Sequence, residues 1–346
     1  MHDDKIILVH NGALGDFLIA WPALLAVARQ YGNEAALLYA GREPYAPWAA
    51  AAGFQPAPGE TRAAVERLYG ASSWDTPALA PLAGSRIIWI GLRTPPFDAA
   101  LLHATDGGAR LTFLPMVPEN GGGESVRAHL ARMMDERLAL PWPEDAATVW
   151  QERVARWHGL NGRSGDEKNG EIGGDVLLFP GAGHRAKEWP AQRWLDLARR
   201  LLDRGLSCRL VLGPVELERG FDAQGVPAIA PPSLAELIER IAEAAAVAGA
   251  DTGPMHAAAL TGTPALALFG PTGARLWAPA EACILRADVD CRPCSTTTHG
   301  IACAERDCME SIAVDAVEKS VLEILDVKKE KPACLSSQTS RLLQKQ

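Results

Sequence analysis

The chain has 346 residues, 48% of them apolar and 22% charged, with a formal net charge of −8. This is the composition of a soluble globular protein, long enough for two domains. The acidic balance excludes a protein built around nucleic acid, which needs a basic face; no apolar run approaches the roughly 18 residues that would cross a membrane.

The N-terminal MHDDKIILVH lacks the charged-then-apolar layout of a signal peptide, so a cytoplasmic protein is expected, with at most peripheral contact at the inner membrane. The apolar run 5–10 predicts a strand, residues 11–15 a tight turn, and the amphipathic stretch 16–31 a helix. Further strands are expected at 35–40, 86–91 and 111–116, and a helix over 124–138. Alternating strands and helices imply a parallel sheet covered on both faces, here a first α/β domain over 1–160. Residues 161–174 are polar and glycine-rich and read as a linker. A second α/β domain then occupies 175–327, with strands at 175–179, 208–212, 247–250 and 265–269. Helices are expected over 190–204, from the Ser233 cap to about 244, over 253–260 and over 311–327. The polar tail 328–346 reads as disordered.

In open parallel sheets, ligands bind beyond the carboxyl ends of the strands, and three such places carry chemistry. The first is His10-Asn11-Gly12-Ala13-Leu14-Gly15-Asp16. Its glycines permit close approach of a ligand, but their spacing is not the G-x-G-x-x-G dinucleotide fingerprint. Asp16 either caps the following helix or serves as a catalytic carboxylate, and spacing leaves both open. The second is Pro180-Gly181-Ala182-Gly183-His184-Arg185-Ala186-Lys187-Glu188-Trp189-Pro190, a glycine loop with two cations ahead of a helix. Free backbone N–H groups, a helix dipole and a lysine suit a diphosphate; a solvated basic loop is the plain alternative. The third is Asp251-Thr252-Gly253-Pro254-Met255-His256, which opens a helix where Thr252 and Gly253 can present donors to a phosphate. Alone, His256 would read as a satisfied core histidine.

Together these segments resemble glycosyltransferase family 9, the ADP-heptose:lipopolysaccharide heptosyltransferases. The matching residues are Gly12–Asp16 with Trp21-Pro22-Ala23-Leu24, Pro180-Gly181-Ala182 with Lys187-Glu188-Trp189-Pro190 and Arg193-Trp194, and Asp251–His256 with Gly262-Thr263-Pro264 and Phe269-Gly270-Pro271-Thr272. The resemblance implies a GT-B fold, two Rossmann-like domains facing a central cleft. It implies an inverting, metal-independent transfer of heptose or a related sugar from an ADP-sugar to a lipopolysaccharide-core or other glycan or glycolipid acceptor. A protein acceptor, a different nucleotide sugar, or a non-catalytic nucleotide-sugar-binding protein are the alternatives. By resemblance Asp16 is the general base, with Gly15 beside it on the donor side. Lys187, with Arg185, contacts the donor phosphate, and Asp251, Thr252, Gly253, Pro254, Met255 and His256 form the donor-binding segment. Glu216 or Glu218 lies near the nucleoside, and the sequence does not choose between them. His10-Asn11-Gly12 stands where relatives carry a basic or serine-rich stretch, and residues 40–124 carry no matching motif.

Cys291, Cys294, Cys303 and Cys308 form C-x2-C-x8-C-x4-C, spacing suited to a structural zinc or iron site with His299 as a spare ligand; a reduced, metal-free loop is the alternative. Some relatives of the family hold iron on four cysteines. Cys208, Cys283 and Cys334 read as ordinary core or tail residues.

Overall fold

A computed structural model describes residues 5–70, 76–92, 108–118, 123–157, 174–295, 301, 303 and 305–329. The expected linker up to residue 173, the tail beyond 329, His299 and Cys334 lie outside the described residues. The chain divides into two compact units, Met1–Val149 and Trp150–Gln346.

The first unit carries β1 (Lys5–Val9), β2 (Ala36–Tyr39), β3 (Gln55–Pro56), β4 (Ser85–Gly91) and β5 (Arg110–Pro115). They form one sheet in the order β3-β2-β1-β4-β5. Every pairing is parallel, with Val9 beside Trp89 where β1 ends. Ile6, Ile7, Leu8 and Val9 are all buried, as a strand covered on both faces requires. Helix α1 (Leu14–Tyr31) follows β1 and buries Phe17, Leu18, Trp21, Leu24, Leu25 and Val27. Helices α2 (Val126–Leu138) and α3 (Ala146–Trp157) follow β5. The unit boundary falls within α3.

The second unit has β6 (Val176–Phe179), β7 (Cys208–Val211), β8 (Ala228–Ile229), β9 (Ala246–Ala250), β10 (Ala265–Phe269) and β11 (Cys283–Arg286). Their order is β11-β10-β9-β6-β7-β8, again all parallel. Its helices include α4 (Ala191–Asp203), α5 (Pro214–Glu218), α6 (Leu234–Glu243), α7 (Gly253–Thr261) and α8 (Val314–Lys329). Trp189 and Trp194 meet edge to face at 4.8 Å in the core, and Trp189 Nε1 donates to Ile312 O at 3.0 Å.

Counted from their own first strands, both sheets run 3-2-1-4-5, the second adding a sixth strand. This is the doubly wound Rossmann order, and it reverses direction between β1 and β4 and between β6 and β9. The expected strands and long helices are present. Reading the sequence missed β3, β8 and β11, which are short outer strands, and α3, which periodicity did not single out.

Candidate functional site

The reversal of strand order opens a crevice outside the carboxyl ends of the two diverging strands. In the second unit, those ends lead to Lys187 after β6 and Asp251 after β9. Lys187 Nζ lies 2.9 Å from Asp251 Oδ2, and the two side chains are only 11% and 9% exposed. Thr272, in the loop after β10, donates its hydroxyl to the same Oδ2 at 2.7 Å. The pair thus spans the switch point, with a neutral donor bracing the carboxylate from the neighbouring strand.

Local structure sets these positions. Residues Arg185–Lys187 form one 3-10 turn, capped by His184, whose Nδ1 accepts the Ala186 N–H at 3.2 Å. Buried Trp189 anchors the next residues, so Lys187 turns inward while Arg185 is exposed. Thr252 is the N-cap of α7, with Pro254 in the first turn, where a missing N–H costs nothing. The Thr252 hydroxyl is engaged with Ala250 O at 3.1 Å, so the donors this terminus offers an anion are the first-turn N–H groups, including that of Gly253. Met255 is fully buried and packs toward Gly249, where an added Cβ would sit 3.0 Å from both Met255 Cε and Phe179 Cβ. His256 is buried, and that desolvation drops its pKa to about 4 against the pull of Asp251; it is neutral at pH 7.

Glu216 and Glu218 part company. Glu216 Oε2 accepts the Gly213 N–H at 2.8 Å, and its carboxylate occupies the space a side chain on Gly181 would need. It therefore lies against the glycine loop, whereas Glu218 is exposed.

In the first unit, His10 follows β1 and Ile90 lies in β4, so this unit's switch point is bridged as well. His10 is fully buried, with Nδ1 3.1 Å from Ile90 O. A carbonyl can only accept, so Nδ1 carries the proton of the neutral ring. Nε2 is buried without a partner among the described residues, and burial lowers the pKa to about 4. Half-buried Asp16 stands in the first turn of α1 after Gly15, its Oδ2 accepting the Ala13 N–H at 3.1 Å. Asp16 thus does cap its helix. A Cβ on Gly12 would lie 2.9 Å from both Asp16 Oδ2 and His10 Cε1, so bare Gly12 is what lets carboxylate and imidazole approach. Arg42 closes the group, its guanidinium 5.4 Å over the Tyr45 ring and Nη1 donating to Gly12 O at 3.4 Å.

The four cysteines are free thiols: Cys291 and Cys294 are exposed, Cys303 is half-buried and Cys308 is buried. Burial pushes the Cys308 thiol up, and the other three cysteines add to the rise, so all four share one neighbourhood. Even so, no three His, Cys, Asp or Glu side chains among the described residues are arranged to hold a metal ion. No described helix is long and apolar enough to cross a membrane.

Sequence reasoning placed Lys187 and Asp251 but not their contact, and it quoted His10 and Thr272 within their motifs without giving either a role. The available signal was positional: Thr272 follows the strand beside β9, and His10 is the first residue past β1.

Residues 159–304 match glycosyltransferase family 9 (heptosyltransferase). Over 168 residues the chain is 34% identical to lipopolysaccharide heptosyltransferase 1 of Pseudomonas aeruginosa, covering 46% of this chain and 43% of that protein. The chain therefore matches less than half the length of this relative. The fold resembles that of Escherichia coli ADP-heptose lipopolysaccharide heptosyltransferase II, with a TM-score of 0.62 at 16% identity, over 94% of this chain and 99% of the other. It also resembles Escherichia coli heptosyltransferase WaaC with ADP, with a TM-score of 0.58 at 17% identity, over 92% and 99%.

Proposed function

We propose that this chain is a member of glycosyltransferase family 9 and an inverting heptosyltransferase that moves a heptose from an ADP-sugar to a lipopolysaccharide-core acceptor. The observation that carries this reading is the buried Lys187–Asp251 pair at the switch point of the second sheet, beside the N-terminus of α7. A recessed lysine with a helix N-terminus is an electrostatic seat for a diphosphate. Glu216, against the glycine loop, is then the acidic residue of the nucleoside side, and exposed Glu218 is not. Exposed Arg185 adds long-range attraction for the anion.

In this reading an acceptor hydroxyl attacks the anomeric carbon opposite the leaving group. The bond from that carbon to the diphosphate oxygen breaks, and the electron pair stays on ADP. Asp16 takes the hydroxyl proton. Lys187 and the first-turn N–H groups of α7 stabilise the charge gathering on the leaving diphosphate. Asp16 lies in the first unit and Lys187 in the second. Lys187 and the N-terminus of α7 meet the new charge directly, and the proposed step uses no metal. A structural zinc or iron on Cys291, Cys294, Cys303 and Cys308 rests on sequence spacing alone.

The test is incubation with ADP-heptose and a lipopolysaccharide-core acceptor, beside a panel of other nucleotide sugars, scoring transfer and hydrolysis. Asp16→Asn should lower transfer by about 10²- to 10⁴-fold, the usual contribution of a general base, and leave ADP binding intact. Nearly full activity in that variant would remove Asp16 as base. Turnover only with another nucleotide sugar would overturn the donor assignment.

A further inference from the structure

The loop after β10, Gly270-Pro271-Thr272-Gly273, is held from two sides by the segment that contains the cysteines. On one side the N–H groups of Cys294 and Ser295 donate to Pro271 O at 2.9 and 3.3 Å. Thr272 and Ser295 form a parallel bridge, and a Cβ on Gly273 would lie 3.7 Å from Pro293. On the other side, Cys308 and Met309 press on Gly270: a Cβ there would sit 3.1 Å from Cys308 Sγ and would overlap Met309. Pro293–Ser295 and Cys308–Met309 are therefore the jaws of a clasp closed on four residues. Within the clasp Thr272, 2% exposed, reaches back to the Lys187–Asp251 pair.

We propose that Thr272 is a positioning residue of the donor site and that the cysteine segment is the brace that holds it there. This role follows from the Lys187–Asp251 pair being the diphosphate seat proposed above. Asp251 Oδ2 accepts from both Lys187 and Thr272. The hydroxyl fixes the carboxylate, and the carboxylate fixes the ammonium that a diphosphate must find. Without the hydroxyl, Asp251 has one directional partner fewer, and the lysine is less well placed before ligand arrives. Moving the clasp moves Thr272 and has the same effect at a distance. The brace is thus a mechanical reason for a cysteine-rich segment to sit against a sugar-transfer domain, whatever the cysteines carry.

The test is titration calorimetry of the full chain with ADP. Thr272→Val keeps the shape and removes the donor, and should weaken ADP binding about tenfold, the scale of one lost hydrogen bond to a charged group. Thr272→Ser restores the hydroxyl and should return affinity to within about twofold of the parent. Cys294→Pro deletes the N–H that holds Pro271 and should weaken binding in the same direction. The Thr272→Val/Cys294→Pro double variant should lose less than the product of the two single effects, because both act through one element. If Thr272→Val does not fold, Thr272→Ala takes its place. Failure of the unmodified chain to bind ADP would remove the donor-site reading itself. Parent-like affinity in Thr272→Val, no rescue by Thr272→Ser, or unchanged affinity in Cys294→Pro would overturn the brace while leaving that reading standing.

Discussion

Replacing Lys187 by methionine should separate what the buried pair does for the fold from what it does for ligand. At 2.9 Å and an effective dielectric near 20, the two charges attract by about 6 kcal/mol, much of which offsets their removal from water. Breaking a buried pair by removing one partner costs about 3–5 kcal/mol, because an uncompensated charge stays behind. Thr272 still donates to Asp251, which puts the expected loss near the low end, about 3 kcal/mol. For a unit the size of Trp150–Gln346, each kcal/mol moves Tm by about 2–4 °C, so Lys187→Met should lower Tm by about 6–12 °C. Adding Asp251→Asn removes the orphaned charge and should recover more than half of that loss. ADP binding should behave differently, falling about 10- to 100-fold in Lys187→Met and staying low in the double variant, since the cation is absent from both. Scanning calorimetry and ADP titration on the parent, both single variants and the double complete the cycle. A Tm change under about 2 °C in Lys187→Met, or a double variant no more stable than the single, would refute the electrostatic account of the pair.

Two pH predictions follow from buried groups. Burial holds His10 and His256 at about 4 rather than 6.5, so the unfolded chain takes up protons that the folded chain refuses. Stability should therefore be full above about pH 6.5 and fall as pH drops toward 4; guanidinium unfolding of His256→Gln should show a shallower acid slope, and an unchanged slope would count against the assignment. Glu318, nearly buried, accepts from Arg204 Nε at 2.7 Å and Arg200 Nη1 at 3.1 Å, and these bonds, the Arg204 bond first, hold its carboxyl below the ordinary 4.5. Its contribution is present above pH 4.5 and disappears as acid titrates the folded carboxyl. Glu318→Gln should thus melt lower than the parent at pH 7, and the gap should close as pH falls below 4.5 and through the depressed folded value; a gap independent of pH would rule out the charge as its source.

Much of the fold was legible because parallel strands buried on both faces read as unbroken apolar runs, as in Ile6–Val9 and Leu266–Phe269. The missed strands lacked that signature. Gln55–Pro56 and Ala228–Ile229 are two residues long, and Cys283–Arg286 is an outer strand only half covered. At the candidate site, the glycine loop and the aspartate-led helix start stood out because phosphate seats need bare backbone and a helix N-terminus. Their joining through Lys187 and Asp251 did not, because it depends on β6 lying beside β9 with 66 residues of chain between Phe179 and Ala246. Asp16 shows a further limit. Sequence left capping and catalysis as alternatives, and its Oδ2 does cap Ala13, yet the same carboxylate also faces His10 across Gly12. The thiols fell on the other side: spacing suggested a metal set, and the described residues gather the sulfurs without forming one.

The ion pair at the switch point also bears on how tightly a product can be held. If the pair is the diphosphate seat, Lys187 already has Asp251 as a resident counter-ion, and an incoming diphosphate shares the ammonium with a carboxylate and does not fill an empty positive hole. The net gain is the difference between two ion pairs, which tempers affinity for free nucleotide and for stray phosphate alike. On that reading Asp251 stays at the ammonium after ADP leaves, so the lysine would never be stranded in a dry site. A transferase of this design would trade grip for turnover.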